Sequence, residues 1–217
     1  HIVMELGRTS PAFRSVVGTN MGIGSQGLLM DGTEEQRRHF LPKLASGEII
    51  GSFALTEPNA GSDAASLQTK AVEDGDDFLL TGTKQWITNA KSAQLFTVFA
   101  RTDPDESRSR GVSAFLVEAD RSGISLSSNY KKMGQQGAHV CDINFDQCRV
   151  PRSNIIGGPD RMNNGFQTAM KTLDRGRIHI AALSVGCAKR LIDMSTSYAL
   201  ERKQFGKPIA EFQLLQG

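Results

Sequence analysis

A chain of 217 residues with a net charge of +2 and 39% hydrophobic residues carries enough apolar material to bury a real core, as one large or two small domains. This balance excludes a polybasic nucleic-acid binder and a disordered segment, and no apolar run approaches the length of a membrane span. Three cysteines, Cys141, Cys148 and Cys187, lack CxxC spacing, and four histidines form no metal-ligand pattern. The residues therefore predict reduced thiols, an intracellular setting and no metal.

In chain order, the first segment reads as short helices, with His1 to Glu5 looking like a chain that begins inside a helix. Thr33 to Gln36 forms a capping box before the apolar-periodic Phe40, Leu41 and Leu44. Gly22 to Gly27 matches G-x-G-x-x-G, but no strand precedes it and Asp31-Gly32 ends any helix too early. It is read instead as a close helix-helix contact or a helix-to-helix turn. Strands are predicted over Ile49–Leu55, Gln68–Val72, Phe78–Leu80, Leu95–Ala100, Val112–Val117 and Ile124–Leu126. The alternation of Cys141, Ile143 and Phe145 with Asp142, Asn144 and Asp146 predicts another. Asp74-Gly75-Asp76 supplies a hairpin turn, and Arg101 to Arg110 a charged, flexible loop. Beyond Pro151, a helix capped by Asn163 or Asn164 carries Phe166, Met170 and Leu173. Asp174 to Arg177 is expected to interrupt it. A longer helix follows, with Ile178, Ala181, Ala182, Val185, Leu191, Ile192 and Tyr198 on its buried side, stopping at Gly206 and Pro208. A last helix only starts at Ile209 to Gln216, so the chain is read as a fragment.

Three stretches carry the candidate chemistry. Phe53 to Asp63 runs from an apolar strand into a turn that Pro58 and Gly61 are expected to fix, Gly61 by a conformation closed to other residues. Thr56, Ser62 and free amides would project from that strand end, suited to a heteroaromatic ring or a phosphate. Lys84 to Asn89 places the chain's one Trp, Trp86, beside Thr88 at a second strand end. Glu201 to Pro208 closes the long helix with a basic cluster, favourable to the helix dipole. On residues alone these remain an ordinary turn, a core Trp and a helix-end cation.

The order and spacing of T-E-P-x-x-G-S-D, W-I-T and E-R-x-x-F-G resemble the acyl-CoA dehydrogenase family of flavoproteins, over essentially the whole chain. The resemblance implies an α+β multidomain fold. The tail of an N-terminal helical domain would cover 1–48, a middle antiparallel β barrel or sandwich 49–158, and the start of a C-terminal helical bundle 159–217. It implies FAD as cofactor, lying against Phe53, Leu55, Thr56, Gly61, Ser62, Trp86, Ile87 and Thr88. Arg202, Gln204 and Gln213 would meet the flavin of a neighbouring subunit. Gln204 departs from the Thr of some relatives, and Phe212 stands where a His is frequent. Ser62, Asp174 and Arg177 would line the acyl-CoA channel.

The implied reaction is α,β-dehydrogenation of an acyl-CoA thioester to a trans-2-enoyl-CoA, as in fatty acid β-oxidation, with electrons passed to an electron-transfer flavoprotein. The resemblance also implies a homotetramer or homodimer in the full-length protein, in the bacterial cytoplasm or mitochondrial matrix. An acyl-CoA oxidase, a decarboxylating relative and a non-catalytic flavin-binding fragment stay open. No catalytic base is visible: the resemblance implies a Glu beyond Gly217, and in some branches a base at the position of Gly176.

Overall fold

A computed structural model describes residues 1–106 and 108–216. The N-terminal part is four helices: α1 (Ile2–Thr9), α2 (Pro11–Gly18), α3 (Gly24–Asp31) and α4 (Glu34–Ser46). Ser10 caps α2 through its side chain, with Pro11 at the first helical position. The capping box of α4 forms as the sequence predicts, Thr33 and Gln36 bonding reciprocally. Gln36 then does more than cap. Its amide nitrogen donates to Ser153 O and Ile155 O at 2.8 and 2.7 Å, tying α4 to the far side of the molecule.

The glycine-rich stretch after α2 is a kinked helix-to-helix turn, Thr19–Ile23, in which Gly22 leaves helical geometry. A Cβ on Gly24 would stand 2.8 Å from Thr19 O and 3.0 Å from the Gly51 carbonyl carbon. The glycine permits helix and strand backbones to touch, and no dinucleotide fingerprint is formed.

Seven strands make one curled sheet: β1 (Gly51–Ala54), β2 (Lys70–Asp74), β3 (Asp77–Thr88), β4 (Leu95–Arg101), β5 (Val112–Glu118), β6 (Ile124–Leu126) and β7 (Val140–Pro151). The hairpin β2–β3 pairs Val72 with Leu79 and Lys70 with Thr81 across the predicted turn, where Gly75 takes φ 65°. Pairing is antiparallel except where β4 runs parallel to β1 and to the start of β2. One core, around Phe78, Phe96, Phe115 and Ile143, fills the curl. A second, around Leu28, Leu67, Phe99, Leu116 and Ala169, joins the sheet to the helices.

In the charged loop expected over Arg101 to Arg110, Ser107 lies outside the described residues. Arg101 itself is anchored, its guanidinium donating to Ala65 O and Arg108 O at 3.0 Å.

The C-terminal part departs from expectation in two ways. A single 37-residue helix, α5 (Gly165–Glu201), runs unbroken through Asp174 to Arg177. Gly176 weakens a helix by only about 1 kcal/mol, which packing on both sides overrides. Nor is the apolar side buried: Ile178, Val185, Leu191, Ile192 and Tyr198 are all exposed. The face that packs instead is small. Gly186 lies against the Met4 backbone, and a Cβ on Gly7 would stand 2.6 Å from Leu183 O, so α1 and α5 cross at backbone contact. Asn164 holds the N-cap position, but its side chain donates to Met162 O and caps nothing. After α5 come the two-residue strands β8 (Lys203–Gln204) and β9 (Lys207–Pro208) and the short α6 (Gln213–Gln216). Among the described residues no helix is long and apolar enough to cross a membrane.

Candidate active site

The T-E-P stretch leaves β1 as a tight turn. Glu57 and Ala60 exchange backbone hydrogen bonds at 3.1 Å around Pro58 and Asn59. Gly61 plays a different part from the one expected. It is absent from the positive-φ residues, and a Cβ there would meet open space, so it leaves room and does not strain the backbone.

What fixes the turn is a buried ion pair that the sequence reading missed. Lys84, fully buried on β3, donates to Glu57 Oε1 at 2.7 Å and to Leu55 O at 3.2 Å. Glu57 also accepts from the Gln68 and Thr69 amides and the Thr69 hydroxyl at 2.6–2.9 Å. Burial pushes the Lys84 ammonium down to about 8 against the attraction of Glu57. Burial pushes the Glu57 carboxyl up, but Lys84, Thr69 and Gln68 together hold it below the usual carboxylate range. The signal was available: a Lys two residues before the Trp, on the inward side of a strand, needs an anion.

A β-bulge exposes Trp86. Between Lys84 and Ile87, β3 advances one residue more than β7, and Trp86 takes φ 58°. A bulge re-aims side chains, and here Lys84 points inward while Trp86 stands 57% exposed. Two bonds lock the two strand ends together, and a third ties the bulge to β7. Gln85 N donates to Thr56 O at 2.8 Å, Ser52 Oγ to Thr88 O at 2.7 Å, and Trp86 N to Asp142 Oδ1 at 3.3 Å. Each uses backbone atoms of the motif residues, which leaves the Thr56 and Thr88 hydroxyls for a ligand.

Between these strand ends and α5 lies a cavity of about 440 Å³. Phe53, Leu55, Thr56, Gly61, Ser62, Trp86, Ile87 and Thr88, all expected around the flavin, line it together. Across from them stand Phe166, Met170, Leu173 and Arg177 of α5. The first three were legible as apolar residues of a helix, with no site role expected of them. Thr19, Ile23 and Asp63 also line the cavity and were missed. Asp63 is its only carboxylate among the described residues, and it accepts from Ser66 Oγ.

The remaining expected residues lie elsewhere. Asp174 does not line this cavity. It pairs with Arg177 on the helix surface, both more than two-thirds exposed. Gly176 lines a second, adjoining cavity. Arg202, the C-cap of α5, lies about 37 Å along the helix from Arg177. Gln204 on β8 and Gln213 at the start of α6 share that far end, and all three are exposed.

The residues fit an isoalloxazine ring. An aromatic face and two threonine hydroxyls line one apolar slot, without a competing positive side chain on the Thr56 side.

Helices, a curled β-sheet and a long helix meeting at such a cavity define an α+β protein with its candidate site where its layers join. The chain belongs to the acyl-CoA dehydrogenase family: residues 1–48 match the family's N-terminal domain, 52–148 its middle domain and 163–217 its C-terminal domain. Among curated relatives, the probable acyl-CoA dehydrogenase YngJ of Bacillus subtilis is 44% identical over 99% of this chain and 56% of its own length. Butyryl-CoA dehydrogenase from Megasphaera elsdenii superposes with TM-score 0.94 at 34% identity, over 99% of this chain and 55% of that one. An acyl-CoA dehydrogenase complexed with FAD from Bacillus anthracis gives 0.92 at 38% identity, over 99% and 36%. The chain spans about half the length of the curated relatives it matches.

Proposed function

We propose that residues 1–217 form the flavin- and thioester-binding part of an FAD-dependent acyl-CoA dehydrogenase. The observation that carries this is the single cavity on which the T-E-P and W-I-T strand ends and α5 converge. Bound FAD supplies the hydride acceptor for α,β-dehydrogenation of an acyl-CoA. Thr56 and Thr88 present hydroxyls to the ring edge, where donors stabilise negative charge. Trp86 offers its exposed indole face. Ser62 at the turn and Arg177 on α5 bound the thioester side, which is open to solvent within residues 1–217.

The proton acceptor is assigned outside residues 1–217. Asp63 is already engaged by Ser66, and no other carboxylate lines the cavity among the described residues. Arg202, Gln204 and Gln213 are assigned to the flavin of a second subunit, consistent with their distance from Arg177. The intact protein would then be an oligomer that passes electrons to an electron-transfer flavoprotein. The boundaries near 48 and 158 are proposed as the domain limits.

The test is direct. The intact protein is expected to purify with FAD and to convert a saturated acyl-CoA to the trans-2-enoyl product with an artificial electron acceptor. The Thr56→Val, Thr88→Val double variant should lose flavin roughly tenfold more readily. A protein that folds but takes up no FAD would overturn the reading.

A further inference from the structure

Lys84 does more than hold the turn. Its fully buried ammonium divides its bonds between Glu57 Oε1 at 2.7 Å and the Leu55 carbonyl at 3.2 Å. Anchoring alone does not call for charge, because a well-packed apolar pair commonly serves a buried site as well or better. What charge adds is a field, and its direction follows from the bonds.

The two charges are not screened alike. Glu57 also accepts from the Gln68 and Thr69 amides and the Thr69 hydroxyl, so its negative charge is spread over three further donors. Among the described residues, the ammonium has one acceptor besides Glu57, the Leu55 carbonyl. The positive end of the pair is therefore set against the Leu55–Thr56 peptide. That peptide is trans, so where its C=O faces Lys84 its N–H, on Thr56, faces the opposite way. Among the described residues this N–H donates to no protein acceptor. Thr56 itself lines the first cavity, and Gln85 N holds the Thr56 carbonyl at 2.8 Å, so the residue is fixed through both of its peptides. A cation on a peptide carbonyl draws electrons toward the oxygen and leaves the N–H a stronger donor.

The geometry points to Lys84 as a positioning residue that tunes the cofactor: acting through the Leu55–Thr56 peptide, its ammonium makes the Thr56 N–H a strong donor that favours reduced over oxidised flavin. The inference deepens the proposed function and rests on its reading of the first cavity as the flavin site. Reduction raises negative charge on the polar edge of the ring, so a stronger donor there binds the reduced form more than the oxidised one. Glu57 serves as the counterion that keeps a buried ammonium charged. Burial lowers the Lys84 pKa to about 8, and Glu57 opposes the fall.

The experiment uses the intact, FAD-loaded protein without acyl-CoA. It reads the midpoint potential of the bound flavin by dye-equilibrated reduction, alongside the denaturant midpoint. The Lys84→Met, Glu57→Gln double variant removes both charges and strands neither, so folding stability is expected to stay near that of the unaltered protein. Its flavin potential is expected to fall by about 30 mV, roughly a tenfold loss in the preference for reduced flavin. Lys84→Met alone leaves Glu57 charged and should lower the potential further. A pair that merely supports the fold moves the potential only where it moves stability.

An unchanged potential in the double variant, with FAD bound, overturns the inference. If that variant fails to fold, or loses stability together with potential, the unaltered protein decides through the infrared carbonyl stretches of bound FAD, isotopically labelled at its ring carbonyls. At least one stretch is expected to lie below that of flavin in water, as a charge-assisted donor requires. If none does, the inference is overturned. An intact protein that folds and takes up no FAD is a different result: the reading of the first cavity then fails, and this inference falls with it.

Discussion

The two halves of α5 are built from similar sequence and meet different fates. From Gly165 to Thr172 the helix is buried through small residues: Gly165, Thr168, Ala169 and Thr172. Gly165 lies so close to β5 that a Cβ would stand 2.7 Å from Ser113 Cα. Thr168 and Lys171 hold Asp31 at 2.6 and 2.9 Å. From Ile178 onward, large apolar residues recur at helical spacing and yet stand in solvent, and only Leu183 and Gly186 are buried, against α1. Periodicity therefore reports which side of a helix is apolar. Whether that side is covered depends on a partner, and close approach is made by the smallest residues.

Three substitutions sharpen this contrast, and the largest effect belongs to the strand ends that face the first half of α5 across the cavity. Glu57→Gln strands the buried Lys84 and should cost about 3–5 kcal/mol, read as a shift in denaturant midpoint. The loss should shrink as pH rises, because the unfolded chain then binds more protons than the native one, whose buried Lys84 discharges early. In the unaltered chain stability likewise rises with pH at the acid end. Glu57 titrates lower when folded than its ordinary 4.5, so its contribution is present above that value and fades as pH falls through the folded pKa. A midpoint insensitive to Glu57→Gln would mean that the turn is held by its backbone bonds alone.

Gly186→Ala should be smaller, about 1–3 kcal/mol, since the new methyl must push α1 away from the Met4 backbone. Thermal unfolding reads it, and no change would show that α1 and α5 do not cross as described. Smallest of all, Leu191→Ala should stay within about 0.5 kcal/mol, because Leu191 is 62% exposed. A loss of several kcal/mol there would erase the contrast, showing that the apolar stripe is covered in solution.

Much of the site could be read from the sequence because it resides in local stretches. Phe53 to Ser62 and Trp86 to Thr88 each act through one strand end, and the structure needs only a bulge and a turn to bring them together. What escaped reading was non-local. The Glu57–Lys84 pair joins residues on different strands, and neither partner alone announces the other. The wall formed by Phe166, Met170 and Leu173 was visible as an apolar face, but nothing in its spacing separates lining a cavity from filling a core. The interruption expected at Asp174 to Arg177 failed for a related reason. A glycine and a cluster of charges lower helix propensity by amounts that tertiary packing on either side outweighs.

Light emitted by this chain's indole comes from one place. Trp86 is the only tryptophan, and the fold puts it half in solvent on the wall of the candidate flavin cavity. Its emission maximum, lifetime and quenching by a soluble collider therefore describe that wall alone and do not average over the molecule. A ring system stacked there that absorbs where indole emits would drain the signal by resonance transfer. Occupancy of the cavity and integrity of the fold can thus be followed separately, the first by Trp86 fluorescence and the second by far-ultraviolet dichroism, with no label attached.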